Sequence, residues 1–420
     1  MASIAIVGTG ISGLGAAYLL HREHDITVYE ADARLGGHSR TVEASIDGLR
    51  LPVDTGFIVY NERNYPNLTG LFRELDVPTV QSDMSFGVSI QDGWLEYASS
   101  GLSGLFGQRS NLLRPKYWGM LRDILRFNRS AEPYVQKHPE ASLGEMLDEI
   151  QLGDYFRHYY LLPMGGSIWS TSVESMSHFP ALTFVQFFRN HGLLSVNDQP
   201  QWHTVKGGSR EYVRRLSKPF TDRILKGHAV RSIQRDDSSI YVLDVHGHQR
   251  RFDYIILACH PDQAIRLLDQ PTAEEDQVIG AFEYQPNEVY LHLDTSYMPK
   301  QQRCWASWIY RADRSGISGQ NGRVSLSYWM NNLQELNTKT PVIVTLNPLK
   351  AIPEEHILDQ HTFHHPVFNQ AAIYAQSLIP LLNGKNRTYY CGAWQRYGFH
   401  EDGLWSAVRV ADQFGVKPTW

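Results

Sequence analysis

The chain has 420 residues, with 39 Lys and Arg against 44 Asp and Glu, a net charge of -5; that length suits two or three domains better than one. Hydrophobic residues make up 42% and charged residues 20%, enough for a large core and against global disorder, and the acidic balance lacks the basic footprint of a nucleic-acid binder. Mean hydropathy is -0.35, and no apolar run reaches the roughly 18 residues of a membrane-spanning helix. The opening Met1-Ala2-Ser3-Ile4 has no basic n-region and no cleavage site, so the apolar run there reads as a strand, not a signal peptide. Cys259, Cys304 and Cys391 are too scattered for a disulfide framework or a CxxC metal pair, and no metal site is expected. A cytoplasmic protein is the expectation.

Residues 4–7 form a short β-branched run that suits a buried parallel strand. Gly8-Thr9-Gly10-Ile11-Ser12-Gly13 follows, and then a helix-forming stretch rich in small residues. Residues 26–29 read as a second strand, closed by Glu30. In such a unit Gly8 makes the tight turn, Gly10 lets a pyrophosphate approach the backbone, and Gly13 lets the helix pack on the sheet. The free N–H groups and dipole at the helix start favour phosphate charge. Glu30 is placed to accept hydrogen bonds from an adenosine ribose.

The next segment is Ala31-Asp32-Ala33-Arg34-Leu35-Gly36-Gly37-His38. A second glycine pair brings another loop against the same pyrophosphate, with Arg34 as a countercharge. This segment resembles the E-x-x-x-R-x-G-G of FAD enzymes of the amine oxidase and phytoene desaturase superfamily. Val53-Asp54-Thr55-Gly56-Phe57 resembles that superfamily's D-x-G segment, which passes under the flavin. The resemblance implies an α/β fold: a discontinuous Rossmann-type FAD-binding domain over 1–84, 201–283 and 383–420, plus a substrate domain of mixed antiparallel sheet and helical cap over 85–200 and 284–382. It implies FAD contacts from Gly8, Gly10, Ile11, Ser12, Gly13, Glu30, Ala31, Arg34, Gly36, Gly37, His38, Gly56, Phe57 and Ile58. An NAD(P) enzyme would share the first motif, but the Gly36-Gly37 pair argues against it.

The block 85–200 reads mainly helical, with helix-like stretches at 143–150 and 155–161 and a break at Pro163-Met164-Gly165-Gly166. An apolar, flexible loop over 101–107 precedes a basic amphipathic stretch, 112–129, which carries Arg114, Lys116, Arg122, Arg126 and Arg129 against Asp123. Two readings stand for 101–129: a peripheral contact with the inner face of the membrane, or a surface helix with one solvated basic face. Farther on, Trp202-His203-Thr204-Val205-Lys206-Gly207-Gly208-Ser209 resembles the family's glycine pair leading back to the FAD domain. The family places a residue such as Val230 on the adenine, and a strand like 254–259, with Ala258, beside the pyrophosphate. Residues 241–245 and 251–258 alternate around a Gly247 turn. Alternation at 289–293, 305–310, 324–329 and 341–346 predicts an antiparallel sheet. Aromatic residues crowd this half, and a subset, Met84, Phe86, Trp169, Tyr328 and Tyr397, is expected to line an apolar tunnel.

At the end of the chain a strand stops at Gly392, and a helix is expected from near Gly403 towards Phe414. By the resemblance its N-terminus points at the flavin, with contacts from Trp394, Gly403 and the backbone N–H of Leu404. No clear covalent attachment motif is present, so the FAD is expected to be non-covalent. The amine-oxidising branch keeps a lysine near the flavin, but Tyr284-Gln285-Pro286-Asn287-Glu288-Val289 has none, and Gly403 stands where that branch has a second cage tyrosine. Asp54-Thr55-Gly56-Phe57-Ile58-Val59-Tyr60-Asn61, Ile168-Trp169-Ser170 and Ala258-Cys259-His260-Pro261 resemble a bacterial amine-oxidase-like group associated with cyclopropane-type and methyl-branched fatty acid modification. That resemblance implies a lipid or fatty-acyl substrate and a desaturation, with His400 and Glu401 as candidate proton acceptors. A flavin amine oxidase and a non-catalytic flavoprotein partner of a lipid-modifying enzyme remain the alternatives. The oligomeric state is left open.

Overall fold

The structure, a computed structural model, describes residues 1–169, 173–195, 199–312 and 325–420. Ser170 of the Ile168-Trp169-Ser170 segment and Val324, at the head of an expected strand, lie outside the described residues.

The first strand, Ser3–Val7, sits at the centre of a five-stranded parallel sheet. The order across it is Ile224–Lys226, Asp25–Glu30, Ser3–Val7, Tyr254–Leu257 and Thr388–Tyr390. Its register pairs Ile4 with Ile26 on one side and with Tyr254 on the other. Both faces are covered, as a continuous β-branched run requires. Ile4 and Ile6 pack towards Leu14 and Leu404, whereas Ala5 and Val7 pack towards Val230 and Ile255. Strands far apart in sequence thus close one Rossmann-type sheet.

A seven-stranded mixed sheet forms the other half. Its order is Ile357–Val367, Glu283–His292, Ile343–Leu346, Ser325–Trp329, Trp308–Ala312, Phe86–Ile90 and Leu95–Ala98. Its neighbours are antiparallel except Phe86–Ile90, which runs parallel to Trp308–Ala312. The block read as mainly helical therefore begins with two sheet strands. The helices Pro115–Lys137, Leu143–Glu149, Leu162–Trp169 and Ala181–Asn190 cap this sheet around Phe127, Phe156, Phe184 and Phe188.

Three local expectations are corrected. Pro163 and the glycines after it do not break the pattern, because Leu162–Trp169 is helical through them. The π-helical turn Arg157–Leu161 runs into this helix without a break, and such a change of hydrogen-bond register accommodates the N–H that proline lacks. Gly165 is there because a Cβ would come 2.8 Å from Phe184 and 2.9 Å from Met176. The loop expected over 101–107 contains a short helix, Gly101–Leu105. The run 251–258 is two strands: Gln249–Phe252 pairs with Ile240–Asp244, and Tyr254–Leu257 joins the parallel sheet.

Asp54 joins the two halves. It is fully buried and accepts from Thr41 Oγ1 (2.6 Å), Ser209 N–H (2.9 Å), Ser209 Oγ (2.8 Å) and Gln334 Nε2 (2.8 Å). Burial still pushes its carboxyl up, to about 6. No helix among the described residues is long and apolar enough to cross a membrane.

Candidate nucleotide cradle and adjoining cavity

The cradle is made by backbone meeting backbone. Gly8 leaves the first strand with φ +102°, a value that favours glycine. A Cβ at Gly13 would lie 2.0 Å from the Gly8 carbonyl oxygen and 3.2 Å from Ala258 Cβ, so the helix Ile11–Leu20 presses on the strand ends. A Cβ at Gly10 would meet nothing within 4 Å. The second loop closes on the first: Gly36 N–H donates to the Thr9 carbonyl (3.0 Å), and a Cβ at Gly37 would lie 3.2 Å from Gly10 Cα. Gly56 presses equally close, its notional Cβ 2.1 Å from the His38 carbonyl oxygen, and Phe57 N–H donates to that carbonyl (2.8 Å). Ile58 is buried, and its carbonyl accepts from Thr204 Oγ1 (2.7 Å).

Polar groups complete the cradle. Glu30 accepts from the backbone N–H (3.0 Å) and hydroxyl of Thr9 and from Asp32 N–H (2.9 Å). His228 N–H bonds the Glu30 carbonyl (2.9 Å) two residues before the strand Val230–Arg235, so the adenine-side strand starts beside the expected ribose acceptor. Ala31 is exposed on the loop that follows Glu30. Arg34 donates through Nη2 to the Gly37 carbonyl (2.8 Å), while its buried Nη1 has no partner among the described residues. His38 likewise buries Nε2 without a partner. An open glycine, an unspent guanidinium N–H and a helix N-terminus fit the pyrophosphate of FAD. Held there, FAD would take its pyrophosphate contacts from Gly10, Arg34 and Gly37.

One part of this crevice carried no expectation. The strand Ile357–Val367 sends Phe363 and His365 to the face where His38 lies, at ring separations of 4.5 and 5.4 Å. His260 stacks on Tyr284 at 4.1 Å. Burial pushes His260 and His365 down to about 4 and His38 well below its usual range, so these imidazoles are neutral. The signal was present in the alternation His361, Phe363, His365, which sets three rings on one strand face.

The C-terminal helix starts earlier than expected, at His400, and runs to Gln413. Asp402 draws the start back by accepting from Phe399 N–H (2.9 Å) and Tyr397 N–H (3.2 Å). Gly403 N–H is already committed to the Phe399 carbonyl (3.1 Å). Gly403 and Leu404 therefore lie inside the helix, packed against the helix Ile11–Leu20: a Cβ at Gly403 would come 2.7 Å from Ile11 and 2.9 Å from Ser12 Oγ, and Leu404 reaches Gly15. Trp394 turns into the core, its ring 4.5 Å from Phe282.

His400 and Glu401 are both engaged in holding elements together. His400 stacks on Phe57 (3.8 Å) and places Nε2 2.9 Å from both Ser39 Oγ and Tyr212 Oη. Burial pushes its imidazole down to about 3. Glu401 accepts from Asn67 N–H (3.1 Å), Asn67 Nδ2 (2.6 Å) and Leu68 N–H (3.0 Å), anchoring the start of the helix Pro66–Glu74.

Beside the C-terminal loop lies a cavity of about 160 Å³, walled by Trp169, Phe179, Phe368, Ile373 and Tyr397 with Thr183, Gln376 and Arg396. Among the described residues Arg396 is the one charged side chain in this wall. Its guanidinium lies over the rings of Tyr397 (5.6 Å) and Trp405 (5.1 Å), 3.5 Å from Asp402. The expected tunnel residues divide. Trp169 and Tyr397 share this cavity. Phe86 pairs in register with Trp308, Tyr328 meets the Trp308 ring at 4.9 Å, and Met84 packs in the same region of the sheet, so these three are not in this wall.

A family model described as flavin containing amine oxidoreductase matches residues 11–414. Among characterised sequences, the AofH protein of Mycobacterium tuberculosis, assigned by name to the flavin-containing monoamine oxidases, is 24% identical over 333 residues, 76% of this chain and 67% of AofH. Amine oxidase [flavin-containing] A of Canis lupus familiaris is 23% identical over 298 residues, 66% of this chain and 54% of the dog protein. Among solved structures, a CLA-producing fatty acid isomerase from P. acnes superposes with a TM-score of 0.67 at 14% identity, over 99% of both chains. A putrescine oxidase redesigned in its cofactor binding superposes with a TM-score of 0.69 at 17% identity, over 98% of both. At these identities the structural likenesses establish the fold.

Proposed function

The chain belongs to the flavin-containing amine oxidoreductases, and from that premise we propose that it oxidises a hydrophobic lipid, with desaturation of a methyl-branched acyl chain as the favoured reaction. The FAD of this family supplies the hydride acceptor when bound. The observation that carries the lipid reading is the cavity wall: among the described residues it has aromatic and aliphatic side chains, two uncharged polar ones, one cation and no carboxylate. A protonated amine would meet the Arg396 guanidinium in the wall, whereas Asp402, which pairs with that guanidinium at 3.5 Å, does not line it. An acyl chain instead lays apolar surface on those rings and brings no positive charge to the guanidinium. A cavity of about 160 Å³ admits roughly a benzene-sized apolar segment, a short stretch of chain with its branch. A methyl branch makes its tertiary carbon the easier hydride donor.

The missing lysine in 284–289 supports the same reading, as does the fatty acid substrate of one fold relative. The names of AofH and the dog enzyme favour the amine alternative. We assign His400 and Glu401 positioning roles rather than proton transfer, because their polar atoms already hold Ser39, Tyr212, Asn67 and Leu68, so the proton lost beside the hydride in forming the double bond passes to solvent water.

The test is anaerobic mixing of the purified flavoprotein with a methyl-branched phospholipid, and separately with mono- and diamines. Bleaching of the flavin by the lipid alone is expected. Bleaching by an amine and not by lipid would overturn the substrate class. Bleaching by neither would favour a non-catalytic flavoprotein.

A further inference from the structure

We infer that the helix Pro115–Lys137, with the turn before it, docks this protein on an anionic phospholipid bilayer. Twelve large apolar side chains are exposed among the described residues, and five of them, Leu102, Leu112, Leu113, Trp118 and Leu125, fall within residues 102–125. Single exposed apolar residues are ordinary, but a cluster marks a contact surface. Leu113 and Leu102 are 87% and 75% exposed, which no packing within the chain requires.

Charge chooses the partner. Along the outer helix face, Trp118, Arg122, Leu125 and Arg129 stand one above another, an apolar and basic stripe suited to lying in a membrane surface. Lys116, Arg122 and Arg129 have no ion-pair partner among the described residues. Asp123 is not on that face: it is buried and accepts Gly153 N–H (3.0 Å). Glu132 faces Arg189 instead (3.5 Å). A cleft of about 580 Å³ opens at Ser110, just before Leu112 in the chain, with Arg109 and Arg303 in its wall, where phosphate oxygens would find two guanidinium groups. The chain as a whole carries a net charge of -5, so an anionic surface attracts this face and repels the remainder.

The inner face of the same helix leads to the cavity. Phe127 meets Phe188 at 6.4 Å, and on that neighbouring helix Phe184 and Phe187 meet Trp169 of the cavity wall at 5.7 and 4.9 Å. Docking thus sets the bilayer one helix layer from the site. The purpose of the contact rests on the lipid reading above, whereas the contact itself needs no turnover.

The experiment is co-sedimentation of the holoprotein with sucrose-loaded phosphatidylcholine vesicles, with and without phosphatidylglycerol. Binding to the anionic vesicles, weakened by salt, is expected. Neutralising three charges (R122Q, R126Q, R129Q) should weaken it about a hundredfold, about fivefold for each charge lost. L113S with W118S should weaken it roughly tenfold. Both variants should keep their flavin spectrum. Equal partition onto neutral vesicles, no binding to anionic ones, or binding unchanged in both variants would overturn the inference. Docking without lipid oxidation would sink only the substrate reading. Lipid oxidation in detergent by a protein that never sediments with vesicles would sink only the docking.

Discussion

The nucleotide cradle and the aromatic cavity are built by opposite means. In the cradle, glycine backbones from three loops approach one another so closely that a single methyl group would collide: at Gly13 with the Gly8 carbonyl, at Gly56 with that of His38. In the cavity, side chains from distant parts of the chain, rings foremost, set the shape. A surface made of backbone has one solution. A surface made of apolar side chains tolerates exchange if volume is kept. The cradle therefore fixes the cofactor, and the cavity is where substrate class can drift while the fold stays.

The sharpest way to break that contrast is inside the cradle. Gly13→Ala should destabilise the protein by about 3 kcal/mol, as overpacking against a carbonyl does, and yield colourless chain. Gly10→Ala has open space and should keep its melting temperature within a few degrees while holding FAD more weakly. Calorimetry and flavin absorbance per chain read the two effects separately. Equal losses in both variants would mean that the open space at Gly10 faces no ligand. Arg34→Ala comes next. Losing a charge-assisted hydrogen bond costs about 1.5–3 kcal/mol, so FAD should dissociate roughly tenfold to a hundredfold more readily in equilibrium dialysis.

The same contrast explains what could be read in advance. The cradle was legible because its constraints are local and tied to residue type: Gly8 to its positive φ, Gly13 to its close approach, Glu30 to a strand end. The C-terminal helix was placed three residues late because the eye takes Gly403 for a start, whereas the Asp402 carboxylate captures Phe399 N–H and begins the helix at His400. The aromatic half resisted for a different reason. Nothing local distinguishes Tyr328, which packs on Trp308, from Tyr397, which walls the cavity; only the crossing of distant elements does. Phe363 and His365 were missed likewise, since a strand far along the chain brings them to His38.

In the cavity, filling rather than collision is the probe. Thr183→Phe adds volume to a wall of about 160 Å³ without touching the cradle. Flavin content should be unchanged, and anaerobic reduction by a methyl-branched lipid should slow roughly tenfold or more, since a displaced chain loses its near-attack geometry. Unchanged lipid reduction would place the substrate elsewhere.

The smallest effect tests the seam between the two regions. Asp402 begins the helix that packs on the cradle, and it stands 3.5 Å from Arg396 of the cavity wall. Burial pushes its carboxyl up from 3.8 to about 7. A raised acid binds its proton more tightly in the folded chain than in the unfolded one. Its contribution to stability therefore declines as pH rises from about 4 to about 7, and stays at the lower value above that. Asp402→Asn keeps an oxygen for Phe399 N–H and removes the titration. Its melting temperature should lie below wild type near pH 5 and approach or pass it near pH 8, a change of a few degrees. A difference that stays constant across that range would show the Asp402 carboxyl ionised throughout, with Arg396 outweighing burial.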